Sequence, residues 1–241
     1  MSAAPKVMHD FAISPCGGLA MEVNGGEVLM RCSGAAWLAA GRTLIVADLH
    51  FEKGSSYAAR GQMLPPYDTR ETLERLEAEV AATDPAVLVF LGDSFHDDRG
   101  EGRLHREDEA RIAGLARGRT LVWVVGNHDA DGPKALPGQT VDELVFGVLT
   151  LRHEPGDGAQ PGELAGHLHP AARVKGRGRT VRRRCFVTDG RRMVLPAFGA
   201  FTGGLNIRDN AFAGLFAVRP LAGALGTGRV HPIGWASLAP D

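Results

Sequence analysis

Three features of this chain predict an α/β fold built in layers. Short, almost wholly apolar runs recur at 43–47 (TLIVA), 86–91 (AVLVFL) and 120–125 (TLVWVV), as expected for strands covered on both faces. Segments with apolar residues at helical spacing lie between these runs. The resulting strand–helix–strand rhythm calls for right-handed crossovers and helices packed on a sheet.

Composition bounds the reading. The 241 residues are 44% hydrophobic and 23% charged, ordinary for a globular protein and enough for one substantial domain spanning 1–241. Aromatics are 6%, so Val, Leu, Ala and Ile should fill the core. Basic residues number 27 and acidic residues 28, which leaves no global charge to steer the chain toward nucleic acid. Cys16, Cys32 and Cys185 form no C-x-x-C pair and read as reduced, structural residues of a cytoplasmic protein. The opening stretch carries Asp10, Glu22, Glu27 and Arg31 without a long apolar core, against a signal peptide or membrane span.

In chain order, residues 1–15 read as frayed and 19–33 as a hairpin turning at Asn24-Gly25-Gly26. A helix over 69–82 shows Leu73, Leu76 and Val80 on one face, with Thr69 as its cap. A second helix covers 104–117. Residues 143–153 read as one strand, and a basic hairpin is expected within 172–195. Residues 196–207 read as a glycine-rich loop, and LFAVRP (215–220) as a last strand.

Metal-ligating residue types follow the apolar runs: Asp48-x-His50, Gly92-Asp93, Gly126-Asn127-His128-Asp129 and Gly166-His167-x-His169, with His153 ending the 143–153 run. Strand ends on one sheet edge let such loops converge. In an extended Asp-x-His or His-x-His stretch the two side chains would face one way. Carboxylates, an amide and imidazoles suit Mn, Fe or Zn better than Mg or Ca. Unpartnered, the buried Asp48 and Asp93 would carry a large desolvation cost.

The series DLH…GD…GNHD…H…GHLH over 48–169 resembles the calcineurin-like metallophosphoesterase superfamily. With LIVADLHFEKG, GHLHP and PAFGAFTGGLN it resembles the narrower bacterial PdeM family of ligase-associated DNA-damage-response endonucleases. The resemblance implies a four-layer α/β/β/α sandwich whose strand-end loops form the site, and two divalent metals, usually Mn2+, with Zn2+ or Fe2+ as alternatives. It assigns Asp48, His50 and His169 to one metal and Asn127, His153 and His167 to the other, with Asp93 bridging. It further implies action beside an ATP-dependent DNA ligase and a helicase, and makes a homodimer plausible.

Two metals roughly 3.5–4 Å apart would hold a bridging hydroxide for in-line attack on a phosphodiester. His128 lies outside the ligand set and is free to position the phosphate and protonate the leaving oxygen. Asp129 is expected to orient His128 or another imidazole. His96, three residues after Asp93, is closer to the nuclease branch of the superfamily than to the phosphatase branch, which has Asp there. It belongs near the scissile phosphate, beside His128, or on an exposed loop.

Nine basic residues occupy 173–192: Arg173, Lys175, Arg177, Arg179, Arg182, Arg183, Arg184, Arg191 and Arg192, against the single acid Asp189. The first seven are candidate contacts to a DNA backbone, or a solvated arginine-rich hairpin. Phe198 and Phe201 either stack on unpaired bases or pack beneath the glycine loop, and Lys53 and Arg60 are further substrate candidates. The readings are therefore a DNA endonuclease, a nucleotide or cyclic-nucleotide phosphoesterase, or a metal-stabilised binding module.

Overall fold

The structure, a computed structural model, describes residues 10–176 and 179–241. Its first sheet has eight strands lying side by side in chain order: β1 (Phe11–Ile13), β2 (Leu19–Val23), β3 (Gly26–Met30), β4 (Ala36–Leu38), β5 (Thr43–Ala47), β6 (Val87–Leu91), β7 (Thr120–Val124) and β8 (Gln139–Val141). Strands β1 to β5 form an antiparallel meander. Strands β5 to β8 run parallel, so the carboxyl ends of β5, β6 and β7 share one edge.

Alternation explains why the central runs lack polar residues. Leu44, Val46, Leu88, Phe90, Leu121 and Trp123 face α2 (Asp68–Thr83) and α3 (Arg106–Leu115), meeting Leu73, Leu76, Val80, Ile112 and Leu115. Ile45, Ala47, Val89, Leu91, Val122 and Val124 face the second sheet, meeting Leu149, Leu151, Leu164, Phe186 and Met193. Both faces lose water, so both sets must be apolar.

The second sheet contains β9 (Glu143–Phe146), β10 (Leu149–Arg152), β11 (Glu163–Ala165), β12 (Pro170–Gly176), β13 (Arg179–Thr188), β14 (Met193–Val194), β15 (Leu205–Asn206), β16 (Leu221–Gly226) and β17 (Arg229–Gly234). Its order is β15-β12-β13-β14-β11-β10-β9, with β16 paired to β13 and β17 outside β16. The fourth layer takes a form the sandwich expectation did not contain. Ile207, Phe212, Leu215 and Leu238, from irregular chain and short 3-10 turns, cover Ala172, Cys185, Val187, Ala222 and Ala224, and no described α-helix lies there.

Several local expectations are corrected. Phe11–Ile13, read as frayed, pairs with β2, while residues 1–9 lie outside the described residues. The 143–153 run is a hairpin, β9–β10, because Gly147 takes φ 60° and reverses the chain. Residues 215–220 form no strand; the last two strands follow them. Helix α2 begins one residue before Thr69, whose hydroxyl instead accepts the Glu52 N–H. The short α1 (Lys53–Ala59) was not foreseen, since only seven residues carry it. No described helix is long and apolar enough to cross a membrane.

Candidate metal centre

Asp48 follows β5, Asp93 follows β6 and Asn127 follows β7, so parallel pairing brings them to one edge. From the second sheet, His153 follows β10, His167 follows β11 and His169 precedes β12. The side chains converge by a route other than extended alternation. Asp48, His50, Asp93, His167 and His169 have φ of 52°, 47°, 45°, 67° and 45°, in the left-handed region. Such backbone costs a non-glycine residue on the order of 1 kcal/mol and persists only where its surroundings hold it. They do: the N–H groups of Asp48 and His50 donate to the carbonyls of Gly92 and Asp93 at 3.2 and 2.9 Å. The His167 N–H donates to both Asp48 carboxylate oxygens at 3.0 Å.

Two clusters result. In the first, ligand atoms of Asp48, His50 and His169 all lie within 4.8 Å of one another. His50 Nε2 faces His169 Nε2 at 3.2 Å, and His169 Nε2 is 3.5 Å from Asp48 Oδ1. In the second, Asp93, His153 and His167 meet the same limit. His153 Nε2 lies 3.2 Å from His167 Nδ1 and 2.9 Å from Asn127 Oδ1. Asp93 stands between them, with Oδ1 3.3 Å from His153 Nε2 and Oδ2 3.8 Å from His50 Nε2. Gly92 is required here, because a Cβ on it would lie 2.1 Å from His153 Nδ1.

Two of the imidazoles, His50 and His167, are pushed toward the neutral form that ligates cations. Burial holds His50 down to about 2, aided by His169, His128, His96 and Lys53. Burial and then His153 lower His167. His153 Nδ1 lies 3.4 Å from the Leu91 carbonyl, a contact suited to the Nδ1–H tautomer that leaves the Nε2 lone pair toward Asn127 and Asp93. His50 Nδ1 is buried without a partner. With each ring's proton on its outer nitrogen, the facing nitrogen and oxygen lone pairs converge on one space, and a divalent cation there would satisfy them together. The donor set fits divalent metal at both clusters.

The family model for calcineurin-like phosphoesterases matches residues 41–184, more than half of the chain. The chain belongs to the calcineurin-like phosphoesterase family. It is accordingly a hydrolase, a metal-dependent phosphoesterase. The crystal structure of Pseudomonas putida nuclease MPE is 33% identical over 90% of this chain and 100% of that one, with a TM-score of 0.69. A phosphoesterase of E. coli, Yfce, is 16% identical over 80% of this chain and 98% of its own, with a TM-score of 0.39. No curated protein matches this chain.

Other sequence candidates of this calcineurin-like phosphoesterase lie around the two clusters. His128 is partly exposed, its Nε2 3.9 Å from Asp93 Oδ2 and its ring edge-on to His50 at 5.3 Å. His96 stacks on His128 with centroids 5.6 Å apart and planes 15° from parallel. Burial, then Lys53 and His128, bring His96 down to about 4. Asp129 does not meet the expectation of an imidazole partner among its hydrogen bonds. Its Oδ2 accepts the N–H groups of Ser94 and Phe95 at 2.8 and 3.2 Å, and its Oδ1 that of Gly126 at 3.0 Å. It clasps the Asp93 loop to the Asn127 loop, and burial raises it to about 6.

The basic hairpin is less free than its sequence suggested. Arg173 donates to the Pro240 carbonyl, and Arg182 to Asp241 and the Gly204 carbonyl. Arg184 donates to the carbonyls of Ala197 and Gly199. Lys175, Arg179 and Arg183 are exposed, and Arg177 lies outside the described residues. Arg192 is buried against Glu163, a structural pair. Phe198 is fully buried under the Arg75 guanidinium, 4.6 Å from its ring, and cannot stack on a base as it lies. Phe201 is 36% exposed, and its carbonyl accepts from Lys53 Nζ at 3.0 Å. Arg60 is exposed and close enough to His96 to lower its pKa.

Sequence reasoning missed Tyr57, whose ring lies 5.6 Å from that of His96. It sits on α1, and nothing in its local pattern marks it. A cavity of about 430 Å3 lies beside α1, lined by Ser55, Ala58, Met63, Leu64, Arg70 and Arg103 among others. None of the seven candidate ligands lines it, so the chemistry belongs to the clusters and not to this hollow.

Proposed function

We propose that this chain is a dinuclear, Mn2+-dependent phosphodiesterase that cleaves DNA internally in DNA repair. The observation that carries the dinuclear reading is the position of Asp93, with one carboxylate oxygen toward each cluster. Similarity to a nuclease over the whole length of that protein supports nucleic acid as the substrate.

In this reading Asp48, His50 and His169 hold one ion, and Asn127, His153 and His167 the other, with Asp93 shared. When bound, the ions supply positive charge against a phosphodiester and acidify water. His128 stands outside the ligand set with its ring partly exposed, suited to bind a phosphate oxygen and protonate the departing oxygen. His96, stacked on it, limits the rotation of that ring. Asp129 keeps the Asp93 and Asn127 loops at one spacing through its three backbone bonds.

One observation favours a smaller substrate, a nucleotide or cyclic nucleotide. Three of the hairpin arginines are engaged within the chain, which leaves fewer cations for a long polyanion. Incubation with Mn2+ and circular single-stranded DNA separates the readings. Linear product is expected; intact circles alongside hydrolysed cyclic nucleotides would replace the first reading with the second.

A further inference from the structure

The cluster of Asp48, His50 and His169 is assembled from both sheets, two of its residues after β5 and one before β12. Its geometry therefore depends on something holding the sheets at a constant offset. Residues 197–199 cross that gap. The N–H groups of Phe198 and Gly199 donate to the carbonyls of Ala47 and Asp48 at 2.7 and 3.1 Å. The crossing runs so close that a Cβ on Gly199 would lie 2.1 Å from the Leu49 carbonyl oxygen.

The other side of this strap is held by Arg184, with the nearby Thr202 hydroxyl donating to the Gly199 carbonyl at 2.8 Å. From β13, Arg184 Nη1 donates to the Ala197 carbonyl at 3.0 Å and to the Gly199 carbonyl at 2.9 Å. The guanidinium is half-buried and always charged, and its Nη1 alone donates both bonds, with N–H directions fixed by the planar group where an ammonium on a flexible stem would hold them less rigidly. Asp48 itself sits at φ 52°, a conformation that relaxes unless its neighbours hold it.

We infer that Arg184 is a positioning residue for the Asp48–His50–His169 metal site, acting through the 197–199 strap, and not a contact to DNA. The inference rests on the two-metal reading above. Loss of a group that orients metal ligands weakens affinity about 10–100-fold. Here that loss should fall mainly on one site of the two, since the strap bonds Asp48 directly and reaches His167 only through the Asp48 carboxylate.

The test is Mn2+ titration of the full chain by calorimetry, with electron paramagnetic resonance to separate coupled from isolated ions. Arg184→Met, Arg184→Lys and, as a neighbour on the same strand, Arg183→Met are compared with wild type. The wild type and R183M should bind two Mn2+ and give a coupled spectrum. R184M should bind one Mn2+ at wild-type affinity and the second about 10–100-fold more weakly, with an isolated six-line signal; R184K should fall between. Two sites at wild-type affinity in R184M would overturn the inference, whether or not DNA binding falls. Equal weakening of both sites, or an R184K as unfolded as R184M, would overturn it in favour of a general structural role. A wild type that binds a single Mn2+ would instead overturn the two-metal reading on which the inference rests.

Discussion

Asp129 and Ser94 are joined by a 2.8 Å hydrogen bond in which the buried carboxylate accepts the backbone N–H, beside similar bonds from Phe95 and Gly126. An amide in place of the carboxylate turns an NH2 toward at least one of these donors. Asp129→Asn should therefore lower the unfolding free energy of the chelated protein by about 1–3 kcal/mol despite its similar shape. Urea denaturation measures this, and a variant as stable as wild type would show the clasp to be unimportant.

Asp93 faces both clusters. Asp93→Asn should reduce metal content at both sites, whereas His153→Ala should deplete one. Metal analysis after gel filtration checks the difference, and equal depletion by the two variants would argue against a shared carboxylate.

His128→Ala should retain both metals and lose about 10²–10⁴-fold in rate on a diester with a poor leaving group. The loss should be much smaller on a p-nitrophenyl diester, whose leaving group needs no proton. Equal losses on both substrates would remove the general-acid role and leave only phosphate positioning.

His96 has a pKa held near 4 by burial and by Lys53, below the ordinary histidine value. Between the folded value of about 4 and the ordinary value the unfolded chain binds the extra proton, so stability rises with pH across that window and is lost as pH falls through it. In chelated protein, His96→Gln should flatten this part of the stability profile. Asp129, raised to about 6, contributes the opposite slope, because the folded state retains its proton longer. The difference between wild type and H96Q isolates the histidine, and superimposable profiles would contradict its depressed pKa.

Lys175, Arg179 and Arg183 are three exposed members of the basic hairpin, while Arg182, also exposed, is tied to Gly204 and Asp241, and Arg184 to the 197–199 strap. Charge reversal of Lys175, Arg179 and Arg183 should reduce the salt slope of single-stranded DNA binding by about 0.7 per lost phosphate contact. Hydrolysis of a small chromogenic diester should be spared. A parallel fall in both would mean the hairpin acts on the site and not on DNA.

The layered core and the residue types of the metal centre are legible in local pattern. Runs such as Val87–Leu91 had to be buried on both faces, and ligand types stand immediately after them. Local patterning carries such information because burial and chain reversal act over a few residues. What the tertiary structure alone decided lies in contacts between distant segments. The left-handed turns at Asp48, His50, His167 and His169, the diversion of Asp129 to three backbone donors and the capture of Arg184 by the 197–199 strap are of this kind. Arg182, Arg183 and Arg184 are identical in type and adjacent in sequence, yet only Arg184 holds that strap. Arg182 and Arg184 share a face of β13, and which carbonyl each meets depends on the stretch of chain after β14 that lies against it.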